Sequence, residues 1–141
     1  MRSSPSAAFN GASVIVADAS YFVALADRKD RWHRDALRVK AAVPQEFLVS
    51  DLVVAEAVTI IGDRRGGKPA QTLYEYFDDE CEIVFVGEDL FREAMALHLQ
   101  YDGGLSVADC VSVALMSQRG IRDIVSFDDD FDKVRSIRHL Q

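Results

Sequence analysis

The segment SVIVADASYFVALAD, residues 13–27, gives the clearest indication of fold class in this 141-residue chain. Its first part, SVIVA (13–17), is a short apolar run rich in β-branched residues, which predicts a buried strand. Asp18 follows the run directly, and YFVALAD (21–27) then has helical character. A buried strand, an acidic residue at its end and a helix are typical of one unit of a parallel α/β sheet.

The rest of the chain repeats this alternation of strand and helix. Further strands are predicted at EFLVS (46–50), CEIVFV (81–86) and RDIVSF (122–127), with a short edge strand at SIRHL (136–140). Helices are predicted between them, with Ser50 and Ser106 as N-caps, Gly120 as a C-terminal stop and a turn at residues 66–69. This pattern predicts a mostly parallel central sheet of four to five strands, covered by helices on both faces.

Length and composition indicate one domain. We predict a single domain over residues 13–141, because 49% hydrophobic and 28% charged residues are ordinary for a globular chain. The residues before it, 1–12, are predicted to form a flexible tail. Cys81 and Cys110 share no metal-binding spacing, so we interpret them as buried thiols. No segment is apolar enough to span a bilayer and no secretory signal is evident, which predicts a cytoplasmic protein without membrane contact.

Four acidic residues stand at positions that favour a site. Asp18 and Asp128 come just past the ends of predicted strands, where α/β proteins bind ligands. Glu56 and Asp109 lie in otherwise apolar helices, and Glu56 has no obvious solvent face, so its burial would need a compensating partner. Each also has an ordinary interpretation: a helix cap for Asp18, a favourable place near the helix dipole for Asp109, an exposed helix edge for Glu56, and a solvated turn for Asp128.

Convergence of these carboxylates at one sheet edge would require cations. Two unit charges at about 4 Å repel by about 4 kcal/mol at an effective dielectric constant near 20. Oxygen ligands favour Mg²⁺ or Mn²⁺, which can activate a water molecule and stabilise the leaving oxygen of a phosphodiester. The net charge of −7 argues against binding nucleic acid by bulk positive charge, but bound metal ions reverse the local sign.

The order of these motifs resembles the PIN domain family, in particular the VapC-type ribonuclease toxins of toxin–antitoxin modules. The segments that carry the resemblance are VIVADASYFVALAD (14–27), SDLVVAEAV (50–58), LSVADCVSVALM (105–116) and IVSFDDDF (124–131). The resemblance implies a three-layer α/β/α fold, Mg²⁺ or Mn²⁺ dependence, endonucleolytic cleavage of RNA, frequent homodimers and an antitoxin that blocks the site.

The resemblance also implies roles for individual residues. It assigns catalysis and metal binding to Asp18, Glu56, Asp109 and Asp128, with Asp130 as an alternative to Asp128 and with Ser20 and Ser126 in support.

Two other functions remain open at this point. One is a Mg²⁺-dependent phosphatase with Asp18 as the nucleophile, although Ser20 stands where a second aspartate is typical of such enzymes. The other is a nuclease fold that binds RNA or protein without catalysis. A further hypothesis is that some basic residues contact RNA phosphates near the pocket. These residues are Arg28, Lys29, Arg31, Arg34, Arg38, Lys40, Arg64, Arg65 and Lys68.

Overall fold

The computed structural model describes residues 14–43, 46–135 and 138–141, so the predicted tail over residues 1–12 lies outside the described residues. In chain order the elements are β1 (Ile15–Ala17), α1 (Ala19–Ala26), α2 (His33–Ala42), β2 (Phe47–Ser50), α3 (Asp51–Arg65), α4 (Gly67–Glu80), β3 (Cys81–Val84), α5 (Glu88–Gln100), α6 (Val107–Arg119), β4 (Asp123–Val125), a short 3₁₀ helix (Asp129–Lys133) and β5 (Arg138–Leu140).

The strands form a single five-stranded sheet in the order β3-β2-β1-β4-β5. All four neighbouring pairs are parallel, which confirms the predicted parallel sheet and the edge position of the last strand. The order reverses at β1, because β2 lies on one side of it and β4 on the other. Such a reversal opens a crevice beyond the carboxyl ends of the central strands, where α/β proteins place their sites.

Helices cover both faces of the sheet and complete three layers. Side chains alternate along each strand, so Ile15 and Ala17 of β1 pack on one face and Val16 packs on the other. The first face is covered by α1 to α4, around an aromatic cluster that includes Phe22 and Phe77. The second face is covered by α5 and α6. The predicted three-layer α/β/α fold is therefore confirmed.

The predicted helix caps are present. The Ser50 hydroxyl accepts a hydrogen bond from the Val53 N–H at 3.2 Å, and the Ser106 hydroxyl accepts one from the Asp109 N–H at 3.0 Å. Gly120 ends α6 in the left-handed conformation, with φ of 67°. These caps fix where α3 and α6 begin, and both starting points border the crevice at the sheet edge.

Several predicted boundaries are wrong in extent, among them the strand expected over 122–127, which comprises only Asp123–Val125. The turn expected over residues 66–69 is only Gly66, because Gly67 and Pro69 already belong to α4, whose first turn tolerates a residue without an N–H. The strand expected over 81–86 ends at Val84, and Phe85 is 74% exposed. Both cysteines are buried thiols, as predicted. Within the described segments, no helix has the length and apolar character needed to cross a bilayer.

Candidate active site

The ends of the two central strands bring the first predicted residues together. The Asp18 N–H donates to the Val125 carbonyl at 3.1 Å, which joins the carboxyl ends of β1 and β4. Ser126 and Asp128 follow β4, and Asp109 lies in the first turn of the neighbouring helix α6. Residues that are distant in sequence therefore meet in the crevice that the strand order opens.

The crevice contains a pocket of about 330 Å³ with an acidic wall and an apolar wall. All four predicted carboxylates line this pocket, together with Asp130 and Ser20. The full lining consists of Asp18, Ala19, Ser20, Val23, Asp30, Trp32, Val53, Glu56, Ile60, Arg64, Ser106, Ala108, Asp109, Phe127, Asp128 and Asp130.

Two serines hold Asp18 in place at the base of the pocket. The Ser20 hydroxyl donates to Asp18 Oδ1 at 2.6 Å, and the Ser126 hydroxyl donates to Asp18 Oδ2 at 2.7 Å. Each serine oxygen also accepts a backbone hydrogen bond, from Phe127 N–H at 2.9 Å to Ser20 and from Asp128 N–H at 2.9 Å to Ser126. Because both hydroxyls are fixed by the backbone after β4, the carboxylate of Asp18, which is only 5% exposed, has one defined orientation.

Three further carboxylates cluster above Asp18. Asp109, Asp128 and Asp130 each offer one oxygen, and these oxygens lie within 4.8 Å of one another. The N–H of Asp130 donates to Asp128 Oδ1 at 2.9 Å, so the turn after β4 presents both aspartates to the same space. The ammonium group of Lys133 contacts Asp130 at 3.3 Å at the exposed edge of the cluster. The structure thus places both candidates for the last acidic position, Asp128 and Asp130, beside Asp109.

Burial and the neighbouring carboxylates raise the pKa values of two aspartates at this site, Asp18 and Asp109. Burial raises the pKa of Asp109 to about 7, and the nearby carboxylates of Asp18, Asp128 and Glu56 act in the same direction. Burial also raises the pKa of Asp18, although its hydrogen bonds from Ser20 and Ser126 oppose this. The cluster therefore cannot be fully ionised near neutral pH unless positive charge is added.

Glu56 differs from its predicted environment. The expectation that its helix leaves it no solvent face is wrong, since Glu56 is exposed on α3. The buried face of α3 is formed by Val53, Val54, Ala57 and Ile61, and Glu56 points away from it. The carboxylate nevertheless lines the pocket, at its open side.

A second acidic pair, Asp30 in the pocket lining and Asp27 outside it, is bound by Arg64. One guanidinium nitrogen of Arg64 contacts Asp27 at 3.2 Å and Asp30 at 3.0 Å. Burial alone would raise the pKa of Asp27, but the hydrogen bond from the Lys29 N–H and the charge of Arg64 outweigh it and hold that pKa below its ordinary value. Among the described residues that line the pocket, Arg64 is the sole lysine or arginine.

Sequence reasoning missed the aromatic wall of the pocket. The rings of Trp32 and Phe127 stack in parallel, with centroids 5.3 Å apart and an interplanar angle of 5°. Trp32 lies directly before the first residue of α2. The available signals were a tryptophan within a run of basic residues and a phenylalanine next to Asp128.

The acidic wall fits a hard divalent cation. Its donors are carboxylate oxygens, which Mg²⁺ and Mn²⁺ prefer, and three of them are close enough together to share one ion. Burial and the neighbouring carboxylates raise the pKa of Asp109, and a bound cation would oppose both effects.

Fold and pocket together define a three-layer α/β protein with a carboxylate site at the sheet edge beside β1, where the strand order reverses. The chain belongs to the PIN domain family, whose family model matches residues 15–137.

Relatives within this family include a ribonuclease toxin. The chain is 28% identical over 120 residues to the 23S rRNA-specific endonuclease VapC20 of Mycobacterium tuberculosis, covering 84% of this chain and 92% of that protein. The crystal structure of VapC20, described as a sarcin–ricin loop cleaving toxin, superposes with a TM-score of 0.81 at 26% identity, covering 87% and 96% of the two chains. The predicted resemblance to VapC-type proteins is thereby confirmed.

A more distant solved structure shares the fold. A toxin–antitoxin complex from Klebsiella pneumoniae matches with a TM-score of 0.67 at 15% identity, covering 88% of this chain and 95% of that one.

Proposed function

We propose that this chain is a metal-dependent endoribonuclease that hydrolyses RNA phosphodiester bonds at the carboxylate pocket. The observation that carries the proposal is the cluster of Asp109, Asp128 and Asp130, with Asp18 fixed beneath it, in a member of the PIN domain family. The similarity to VapC20 over most of both chains supports RNA as the substrate.

The direct ligands in this proposal are Asp109, Asp128 and Asp130. When bound there, Mg²⁺ or Mn²⁺ supplies an activated water molecule and stabilises the leaving oxygen of the phosphodiester. Asp109 releases its proton as the cation binds, because a ligand must be deprotonated and the pKa of this carboxyl is about 7 without the cation. Loss of that proton makes the affinity for the cation increase with pH through the neutral range.

The remaining predicted residues act around this cluster. Asp18 adds negative charge beneath the ligands, and Ser20 and Ser126 act as positioning residues because they fix both of its oxygens. Glu56, at the open side of the pocket, faces the space that substrate and water enter.

The same similarity leads us to propose a place in a toxin–antitoxin module. An antitoxin that covers the pocket and a homodimeric toxin are both part of this proposal, since they accompany the VapC type that the chain resembles. Expression of the chain alone should arrest growth of a bacterial host, and the Asp109→Asn variant at the same level should not.

Neither alternative function is favoured by a specific observation. An aspartyl nucleophile needs an accessible carboxylate, whereas Asp18 is 5% exposed and both of its oxygens accept serine hydrogen bonds. A binding module without catalysis needs no cluster of carboxylates at the base of its pocket.

Cleavage of 23S rRNA and of a mixed set of structured RNAs, with Mg²⁺, with Mn²⁺ and with EDTA, tests the proposal. We expect metal-dependent internal cleavage that is lost in Asp109→Asn and retained in Asp79→Asn, a matched change at an exposed site on α4. A folded protein that cleaves none of these RNAs, or that cleaves equally well in EDTA, would overturn it.

A further inference from the structure

The aromatic wall of the pocket has no role in the chemistry described above. Phe127 is 8% exposed and packs into the core, and its ring supports the more accessible ring of Trp32 in a parallel stack. Both rings line the same pocket as the carboxylate cluster. A rigid aromatic surface therefore stands beside the place where the phosphodiester would be cleaved.

The Trp32 ring makes a cation–π contact with Arg31, and a ligand can replace Arg31 in this contact. The guanidinium carbon of Arg31 lies 4.7 Å from the centroid of the Trp32 ring, and Arg31 is exposed. An exposed cation–π contact is weaker than the stacking of a nucleobase on an aromatic side chain. A base can therefore take the place of Arg31 on the ring, and the released guanidinium can contact a phosphate or stack on the base.

We propose that Trp32, supported by Phe127 and flanked by Arg31, is a stacking site for an unpaired nucleobase of the RNA substrate. The proposal rests on the proposed ribonuclease function and specifies its substrate class as single-stranded or looped RNA. The pocket, at about 330 Å³, is at the small end for ligand sites and has room for about one nucleotide, so a base inside it has left its pairing partner.

The chain reports on this site without a label, because Trp32 is its only tryptophan. We would titrate the wild-type protein with a hexanucleotide of single-stranded RNA and with an abasic strand of the same length, using Ca²⁺ to limit cleavage and a gel to check that the RNA is intact. We expect quenching of tryptophan fluorescence by the hexanucleotide, and about tenfold weaker binding with little quenching by the abasic strand.

Two variants separate stacking from simple packing. Trp32→Leu should raise KM for a single-stranded RNA about tenfold with kcat within about twofold, whereas Trp32→Phe keeps an aromatic face and should keep KM within about threefold. Tyr74→Leu, at an exposed aromatic residue of α4 outside the pocket, is the matched control and should change neither constant. Thermal melting shows whether each variant is folded, and the wild-type titration decides the question if Trp32→Leu is not.

The outcomes distinguish this proposal from the proposed function. Equal binding and quenching by the abasic strand, or an unchanged KM in folded Trp32→Leu, would overturn the stacking site while cleavage by the wild-type protein upholds the ribonuclease. Base-dependent quenching without cleavage of any RNA would uphold the stacking site and overturn the ribonuclease. Failure to bind the hexanucleotide at all would overturn the stacking site regardless of cleavage.

Discussion

Two acidic groups lie at the pocket, one lining it and one joined to it through Arg64, and the pKa values of their buried aspartates shift in opposite directions. Asp27 is 4% exposed and Asp18 is 5% exposed. The pKa of Asp27 lies below its ordinary value, because Arg64 and the Lys29 N–H compensate its charge. The pKa of Asp18 lies above its ordinary value, because burial and, to a smaller extent, the charge of Asp128 outweigh the hydrogen bonds from Ser20 and Ser126.

The comparison shows that burial raises the pKa of a carboxylate unless hydrogen bonds and a nearby cation outweigh it, as they do at Asp27. The pair of Asp27 and Asp30 is complete without any added ion, because one guanidinium contacts both. Among the residues that the structure describes, the cluster of Asp109, Asp128 and Asp130 forms a salt bridge with the exposed Lys133 at its edge. An added cation is therefore expected at the second group and not at the first.

The largest expected effect comes from removing charge beneath the cluster. Asp18→Asn should lower RNA cleavage at least about a hundredfold, because even changes to the partners of metal ligands cost 10- to 100-fold. Measured kcat/KM in Mg²⁺ checks this. Asp79→Asn is again the control, and activity of folded Asp18→Asn within about threefold of wild type would contradict the role of Asp18.

A smaller loss is expected when the support of Asp18 is removed. Ser126→Ala deletes the donor to Asp18 Oδ2 and the acceptor of the Asp128 N–H, so cleavage should fall about tenfold or more. Ser112 offers a matched control, since it is also buried and, within the described residues, its hydroxyl makes no hydrogen bond. Ser112→Ala should leave cleavage unchanged, and equal losses in the two variants would show a general packing effect instead.

The third prediction concerns stability without metal. Folded Asp109 keeps its proton up to about pH 7, whereas the unfolded chain releases it near pH 4. Between these values the folded state binds more protons, so the free energy of unfolding decreases as the pH rises. Asp109→Asn removes that decrease, and we expect a gain of about 2 kcal/mol at pH 8 after allowance for partial exposure, and little gain at pH 4.5.

Urea unfolding in EDTA at both pH values measures this gain. The Asp79→Asn variant should show no pH-dependent change, because its carboxyl is exposed on α4. A gain for Asp109→Asn that is the same at both pH values would contradict the strained carboxylate cluster.

The smallest effect is expected on the compensated side of the comparison. Arg64→Gln leaves the buried Asp27 without its guanidinium, so the protein should lose about 1 kcal/mol of stability at neutral pH. The lowered pKa of Asp27 stabilises the fold above about pH 4, and that contribution is lost as the pH falls through the folded pKa, so the difference should shrink in acid.

Arg119→Gln is the matched control for this substitution. The side chain of Arg119 is 43% exposed, like that of Arg64, but its partner Glu82 is 31% exposed. Exposed pairs contribute about 0–1 kcal/mol, and we expect a change under about 0.5 kcal/mol. Equal losses in the two variants would mean that Arg64 does not compensate a buried charge.

The sequence was sufficient to predict the sheet, the parallel direction of its strands and the residues that line its edge. Strand ends and helix caps are local features, so Asp18, Asp128 and the Ser106 cap could be located from neighbouring residues alone. The resemblance to a family then connected the four segments. Ser20 and Ser126 both donate hydrogen bonds to the carboxylate of Asp18, and their supporting role in catalysis stays a prediction.

The remainder depends on which side chains meet in space. The apolar sequence neighbours of Glu56 left both a buried position and an exposed helix edge open, and the packing of α3 turns this position outward. Arg64 and Asp27 are 37 positions apart, and Trp32 and Phe127 are still farther apart, so no local pattern joins them. The pair of Arg64 and Asp27 separates the compensated carboxylates from those at which we expect a cation, and the pair of Trp32 and Phe127 forms the aromatic surface on which we propose that a nucleobase stacks.

The most direct test of the central claim is calorimetric titration of the protein with Mn²⁺ at pH 6.5, in two buffers of different ionisation enthalpy. We expect binding with release of protons, because Asp109 is largely protonated at this pH and must ionise to become a ligand. We also expect much weaker binding by Asp109→Asn and unchanged binding by Arg64→Gln. Binding of equal strength in wild type and Asp109→Asn, or binding without proton release, would contradict the role of Asp109 as a metal ligand.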